Sequence, residues 1–244
     1  MTKYKRPPIT EAVIEIRLDE PLNKEKVEKL HERLKNDYSS SDHLVEIEVR
    51  VELKQPQATA DELGHGYKLA SEDQADTLLI MPNLMACSRL APYNGWEKFR
   101  ARAEENWTKW KKSTGYKKIQ RLGTRYINRI DIPAADVEKI KIEDYLKVYP
   151  EYPESELPSG ILKYTMQIAG PIEEGNLGVI INSSVIRSPL VDHLSVVLDI
   201  DVSLTSNVPQ KDGEIWEIFD LMRVIKNRVF ESCVTDNARK LFDK

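Results

Sequence analysis

The chain has 244 residues, of which 41% are hydrophobic and 31% are charged, and its formal net charge is -4. This length allows one large domain or two closely packed ones, with enough apolar residues for a sizeable core. The sequence has no apolar run of eighteen residues, and its start, MTKYKRPP, lacks the apolar region of a signal peptide. We therefore expect a cytoplasmic protein, and its mild negative charge argues against a dedicated nucleic-acid-binding protein.

The first half of the sequence predicts strands and two helices. Residues 9–18 alternate apolar and polar side chains, as in a half-buried strand, and Asn23 can cap a helix that runs to about residue 36. Further strands are predicted over residues 43–54, 67–71, 77–81 and 84–90, with a connection over residues 55–66. A long helix follows and stops at Gly115. Its apolar stripe, which is mostly aromatic, is interpreted as core and consists of Trp96, Phe99, Ala103, Trp107 and Trp110.

The stretch from Tyr116 to Ile132 is the most informative part of the sequence. In a strand, neighbouring side chains point to opposite faces. Arg121, Arg125 and Arg129 would therefore share one face, while apolar residues occupy the other. Two interpretations stay open. The arginines pair with carboxylates on neighbouring strands, or they form an anion-binding face for a phosphate, a carboxylate, nucleic acid or an acidic partner.

The second half of the sequence repeats the pattern of strands followed by a long helix. The predicted elements are a short helix over residues 142–146, a proline-rich loop over residues 149–158, and strands over residues 161–168, 177–184 and 193–204. Asp212 can cap the last long helix, and Thr235 can cap a final turn over residues 236–242. The predicted buried face of the long helix contains Ile215, Phe219, Met222, Ile225 and Val229.

Together these elements predict an α+β fold. We expect a mostly antiparallel sheet with two long amphipathic helices packed on one face. The element order also suggests a twofold internal repeat of a β-α-β(3)-α unit, with halves at residues 1–115 and 116–244 packed as one globular unit. The charged strand faces would then share the opposite side of the sheet, facing water, a partner or a ligand.

Catalytic signatures are nearly absent from the sequence. It contains no phosphate-binding loop, no nucleophile elbow and no paired-histidine metal motif, so no cofactor is predicted and an enzyme is not favoured. One alternative is a Mg²⁺ site built from Asp199 and Asp201, which lie two residues apart on one strand face, together with Asp131. Cys87 and Cys233 are interpreted as two buried thiols.

Four local patterns resemble a family of proteins. They are Pro7-Pro8-Ile9-x-Glu11-Ala12-Val13, Pro92-Tyr93-x-x-Trp96-x-x-Phe99, Gly123-x-Arg125-Tyr126-x-Asn128-Arg129 and Phe230-Glu231-x-x-x-Thr235-Asp236. In this order they resemble a sporadically distributed family of uncharacterised bacterial proteins of about this length. The resemblance implies a bacterial cytoplasmic protein and supplies no activity. Such a patchy distribution is typical of mobile or defence-associated genes, which makes a defence role conceivable.

Three functional hypotheses follow from the sequence. The first is a non-enzymatic interaction protein that binds an anionic partner or ligand, or a second copy of itself, through Arg121, Arg125, Arg129 and Asn128. The second is a metal-dependent phosphoesterase or nuclease that uses the aspartates. The third is a small-molecule carrier with a pocket between the sheet and the helices.

Overall fold

A computed structural model of the chain describes residues 4–52, 57–134, 136, 139–151 and 163–243, and it describes the side chains of these residues except those from 46 to 63. Nine described strands form one antiparallel sheet, in the order β2-β3-β4-β5-β1-β6-β9-β8-β7. The strands are β1 (Ile9–Leu18), β2 (Ser40–Glu52), β3 (Gln57–Ala70), β4 (Asp76–Met81), β5 (Leu84–Leu90), β6 (Ile119–Pro133), β7 (Thr165–Ile172), β8 (Leu177–Ile186) and β9 (His193–Leu204).

Four α-helices are described, and two of them are long. They are α1 (Lys24–Leu34), α2 (Trp96–Thr114), α3 (Asp212–Cys233) and α4 (Asp236–Phe242). The predicted α+β class, with two long helices and an antiparallel sheet, is confirmed. Asn23 and Thr235 cap α1 and α4 as predicted, since their side chains accept hydrogen bonds from the amides of Lys26 and Ala238. The predicted short helix after β6 is a single 3-10 turn over Ile142–Asp144.

The four described helices lie on one face of the sheet because apolar side chains alternate along its central strands. In β1, Ala12, Ile14 and Ile16 are fully buried, while the residues between them point to the other face. The same alternation in β6 and β9 extends this core under α3, and the tryptophan stripe of α2 is buried as predicted. Cys87 and Cys233 are buried free thiols within this core.

The two long helices are joined by side chains that come from different halves of the chain. Trp96 Nε1 donates a 2.7 Å hydrogen bond to Asp220 Oδ1, and Trp107 Nε1 donates one of 3.3 Å to Asp212 Oδ1. Asp212 was predicted to cap α3. It is instead the first helical residue, after Lys211, and its carboxylate contacts α2.

Two strand predictions were wrong. Most of the segment predicted as a connection, residues 57–66, belongs to β3, which pairs along its length with β2. The pairing of the two backbones therefore decides the conformation there, against weak local propensity. Strand β7 covers Thr165–Ile172 and includes Gly170 and Pro171, whereas the prediction was residues 161–168. Residues 163 and 164 are not part of the strand, and residues 161 and 162 lie outside the described residues. Strand β7 is an edge strand with mostly exposed side chains, so its sequence lacks the alternation of apolar and polar residues from which a strand is predicted.

The two halves of the chain meet at the pair formed by β1 and β6. Strands of residues 40–90 lie on one side of this pair, strands of residues 165–204 lie on the other, and the core is continuous across it. The predicted internal repeat stays a prediction. Within the described ranges, none of the helices is long and apolar enough to cross a membrane. The proline-rich loop lies mostly outside the described residues.

Candidate functional site

The arginines of β6 share the sheet face that no described helix covers, and each contacts a carboxylate. Arg121 reaches Glu15 on β1 on one side and Asp201 on β9 on the other, with an Nη2–Oδ2 distance of 2.9 Å to Asp201. Burial raises the pKa of Asp201, and the neighbouring Arg121 guanidinium opposes that shift. This arginine therefore crosslinks three adjacent strands.

Arg125 pairs with the most buried carboxylate of the row. Its Nε and Nη2 atoms donate hydrogen bonds of 2.9 and 2.8 Å to the two oxygens of Asp199, which also accepts a 3.0 Å bond from Asn182 on β8. The Asp199 side chain is 6% exposed and that of Arg125 is 51% exposed. The hydrogen bonds to Asp199 raise the pKa of Arg125. The Asp199 carboxylate therefore stabilises the fold from a buried position, while half of the Arg125 side chain is exposed to solvent.

Arg129 pairs within its own strand. Its Nε atom lies 3.0 Å from Asp131 Oδ1, and the Ser195 hydroxyl of β9 donates to the same carboxylate. All three arginines are therefore in ion pairs. Arg121 and Arg125 pair with carboxylates of neighbouring strands, as the first interpretation of the row expects, whereas Arg129 pairs within β6. A role of this row in binding an anion stays a prediction.

The aspartates of the metal hypothesis are occupied by these pairs. Asp131, Asp199 and Asp201 each bind a different arginine. Across the described residues, no group of three or more histidine, cysteine, aspartate or glutamate side chains is arranged to hold a metal ion. The geometry thus gives the metal-dependent enzyme no support.

Asn128 does not belong to the arginine row, and placing it there was wrong. It lies one residue from Arg129, so its side chain points to the opposite face, where it is buried under the helices. Its Nδ2 atom donates hydrogen bonds to the backbone oxygens of Tyr126 and Leu198, at 3.2 and 2.9 Å. There it lines a cavity.

This cavity, of about 1060 Å³, lies between β6, α3, the N-terminal segment before β1 and the loop that enters α2. We call it the α3 cavity. Its lining residues include Tyr4, Lys5, Pro7, Pro8, Ile9, Tyr93, Asn94, Gly95, Trp96, Glu97, Tyr126, Asn128, Arg223, Lys226, Asn227, Arg228, Phe230, Glu231 and Ser232.

Lys226 is the unusual member of this lining. It is 6% exposed, and its Nζ atom lies 3.7 Å from the centroid of the Tyr126 ring. Among the described residues its ammonium has no hydrogen-bond or ion-pair partner. Burial, and secondarily the nearby Arg223, lower the pKa of Lys226 to about 7. A buried lysine without a carboxylate partner is rare, because the charged form loses its hydration without compensation.

The other charged groups of the lining are either paired or, like Lys5, exposed to solvent. Arg223 lies 3.8 Å from Glu97, and Arg228 pairs with Glu174 outside the cavity. Glu231 accepts a 2.8 Å hydrogen bond from the Tyr4 hydroxyl and lies 3.1 Å from Arg239. Burial and this carboxylate raise the pKa of Tyr4 to about 12. Glu231 also attracts the Lys226 ammonium from a distance, but this attraction is weaker than the effects of burial and of Arg223. Within the described lining, Lys226 is therefore the buried cation without a directly bonded carboxylate.

Two further groups give the α3 cavity polar character. The hydroxyls of Tyr93 and Tyr126 lie 3.4 Å apart, and burial raises the pKa of both, that of Tyr126 well above its ordinary value. Helix α2 begins at the cavity with Gly95 as its N-cap, at a φ of 99°, and no side chain caps it. The first amides of a helix lack partners within the helix, so they are available to an acceptor.

The helical spacing of buried residues in α3 includes Lys226, which the prediction from the sequence did not use. Phe219, Met222, Lys226 and Phe230 follow helical spacing, and all four are buried. The predicted apolar stripe used Ile225 and Val229 instead, and so passed over the lysine. A charged residue at a stripe position of a long helix is the pattern that would have indicated it.

Comparisons with protein-family models and with curated proteins found no match for this chain. The case for a function therefore depends on the geometry of the α3 cavity and of the open sheet face.

Proposed function

We propose that the protein binds a small organic anion, such as a carboxylate or a phosphate ester, in the α3 cavity. The observation that carries this proposal is Lys226 on the cavity wall, whose residue is 6% exposed and whose ammonium has no hydrogen-bond or ion-pair partner among the described residues. The proposal corresponds to the carrier hypothesis, with the pocket between sheet and helices, and adds the charge of the ligand.

The energetics favour an anionic occupant. Burying a charged group without a partner costs several kcal/mol, and a lysine in that position loses its proton more easily. A ligand carboxylate beside Lys226 would supply the missing countercharge and would raise its pKa again. The volume of about 1060 Å³ is comparable to that of cavities that hold small molecules.

The remaining lining suits a ligand with an apolar or aromatic body. Tyr93, Tyr126 and Phe230 contribute aromatic surface, and aromatic rings pack well edge to face. The uncapped start of α2 offers backbone N–H donors and the positive end of a helix dipole. The dipole and the lysine both favour negative charge on the ligand.

Calorimetric titration of benzoate, a small aromatic carboxylate, tests this proposal. We expect binding by the natural sequence and at least a roughly tenfold loss of affinity in Lys226→Met, because a charge-assisted contact is removed. Lys139→Met is the matched control, since the Lys139 side chain is 84% exposed and is not part of the cavity lining. Equal affinity in the natural sequence and Lys226→Met, or no binding at all, contradicts the proposal.

Native mass spectrometry of gently purified protein then addresses the natural ligand. A retained small molecule whose occupancy falls in Lys226→Met would support the proposal and could be identified by fragmentation. Retention that is unchanged in this variant would place the ligand elsewhere.

The open sheet face supports a second candidate function, contact with an anionic partner or a second copy of the chain. The observation in its favour is that Arg125 keeps half of its side chain exposed although it is paired with Asp199. Arg125→Gln removes the charge and keeps a hydrogen-bond donor. We expect the natural sequence to be retained on heparin or to self-associate in sedimentation velocity, and the variant to lose that behaviour. Identical behaviour of both proteins argues against this candidate.

A further inference from the structure

Lys226 has the surroundings of a reactive amine as well as those of an anion-binding group. The residue is 6% exposed, and its nitrogen lies over the Tyr126 ring on the wall of the cavity. Arg223 is close enough for the two cations to repel each other. Lysines become nucleophiles in proteins when they are desolvated or placed next to another cation. With a pKa of about 7, half of the side chains are neutral at neutral pH, roughly a thousandfold more than for an ordinary lysine.

Groups suited to a condensation reaction lie beside this amine. The ring under the Lys226 nitrogen carries the Tyr126 hydroxyl, which is 3.4 Å from the Tyr93 hydroxyl. Both hydroxyls stay protonated at neutral pH, because burial raises the pKa of each tyrosine. A protonated hydroxyl can donate a hydrogen bond to a carbonyl oxygen and polarise it.

We infer that Lys226 is an attachment site for an aldehyde or ketone that carries an anionic group and occupies the α3 cavity. This inference rests on the proposed function, since it takes the same cavity and the same class of anion. The ligand's anionic group would lie at the uncapped start of α2 or near Arg223, and its carbonyl would lie at Lys226.

The reaction is a condensation without oxidation or reduction. The lone pair of the neutral Lys226 nitrogen attacks the carbonyl carbon, a C–N bond forms, and the carbonyl oxygen takes up a proton as the nitrogen loses one. The resulting carbinolamine loses its hydroxyl with one proton as water, which leaves an imine. Once protonated, the imine restores a positive charge above the Tyr126 ring, and the ligand's anion can compensate that charge within the cavity.

The experiment uses 4-formylbenzoate as the probe and benzoate as the matched anion without a carbonyl. The full chain is incubated with 4-formylbenzoate and sodium cyanoborohydride, which reduces an imine to a stable amine, and the adduct is located by peptide mass spectrometry. We expect one dominant adduct at Lys226, formed at least about tenfold faster than at exposed lysines such as Lys139. Lys226→Arg keeps the charge but cannot form the imine, so it should give no dominant adduct, while benzoate binding is measured on the natural sequence. Lys226→Met is the second variant, in case the arginine does not fit.

The outcomes separate this inference from the proposed function. Benzoate binding together with labelling at Lys226 no faster than at Lys139 overturns the attachment site and leaves anion binding standing. No benzoate binding and no selective labelling overturn both. Selective labelling that is lost in both Lys226 variants supports the attachment site.

Discussion

The Nζ atom of Lys226 lies 3.7 Å from the centroid of the Tyr126 ring, where a buried lysine would ordinarily meet a carboxylate. The negative face of the ring attracts the ammonium, and this attraction is worth about 2 kcal/mol in a desolvated site. Removing an ammonium ion from water costs more than that. In the absence of a ligand, the folded protein therefore has a destabilising group in its core.

Lys226→Met should stabilise the ligand-free protein, most strongly at low pH. Because the pKa of Lys226 is lowered to about 7 by burial and by Arg223, the unfolded chain binds one more proton than the folded one between about pH 7 and 10. Wild-type stability therefore rises with pH in that window. We expect the advantage of the variant in unfolding free energy to shrink by roughly 2–3 kcal/mol between pH 6 and pH 9.

Urea unfolding of both proteins at the two pH values measures this effect. Other charged or titratable groups of the site, such as Glu97, Glu231, Tyr93 and Lys5, are present in both proteins, so the difference between them isolates Lys226. The same difference in unfolding free energy at pH 6 and pH 9 would show that the lysine does not titrate in this range.

The pair formed by Arg125 and Asp199 should respond unequally to removal of its two members. Arg125→Met leaves Asp199 buried with only Asn182 as a partner, and should cost about 3–4 kcal/mol of unfolding free energy. Asp199→Ala leaves a guanidinium that is half exposed and can turn to water, and should cost about 1–2 kcal/mol.

A double-mutant cycle with chemical denaturation checks this order. The double variant removes both the buried carboxylate and its partner, so it should be more stable than Arg125→Met alone. If Asp199→Ala is the more destabilising single change, the burial of the carboxylate is not what makes this pair matter.

The alternation of apolar side chains made much of the fold predictable. Strand β1 and helix α2 each have one buried face, and the spacing of their apolar residues in the sequence indicates that face. Strand β3 was only partly predicted, and the bounds of β7 were wrong. Residues 57–66 lack strong local propensity and are ordered by pairing with β2, while β7 lies at an edge and buries little.

The candidate site was less predictable than the fold because it depends on which elements are neighbours. The alternation of side chains along β6 correctly grouped Arg121, Arg125 and Arg129 on one face. It did not show which strands would supply their carboxylates. The α3 cavity joins the N-terminal segment, β6 and α3, which are far apart in sequence. Lys226 was overlooked because the predicted stripe passed through Ile225 and Val229, and only the packing of α3 on β6 shows that the lysine is buried over Tyr126.

Glu97→Gln should strengthen the binding of benzoate about twofold at low ionic strength. Glu97 lines the cavity near the start of α2 and lies 3.8 Å from Arg223, so its charge opposes an incoming anion. Its side chain is 84% exposed, and solvent screening therefore keeps the effect small.

Calorimetric titration at low and high salt tests this expectation. Glu105→Gln is the matched control, because Glu105 is an exposed glutamate of the same helix that pairs with Lys109 and is not part of the cavity lining. An equal gain in affinity in both variants would point to net charge instead of the position of Glu97.

Tyr126→Phe should slow the attachment of 4-formylbenzoate and spare the binding of benzoate. Phenylalanine keeps the ring beneath the Lys226 ammonium but removes the hydroxyl that lies 3.4 Å from Tyr93, so the carbonyl loses its hydrogen-bond donor. We expect adduct formation to be slower by roughly 10- to 100-fold and benzoate affinity to change by less than about twofold.

Timed reduction followed by mass spectrometry measures the rate of attachment. The pH at which this rate is half-maximal, the midpoint of its pH profile, should be the same in Tyr126→Phe as in the natural sequence, because Lys226 is unchanged. Tyr164→Phe is the control, since the Tyr164 hydroxyl forms a 2.7 Å hydrogen bond with Ser183 and is not part of the cavity lining. An unchanged rate in Tyr126→Phe would leave Lys226 as the attachment site and exclude the Tyr126 hydroxyl from the reaction. A shifted midpoint would show instead that the hydroxyl acts through the pKa of the lysine.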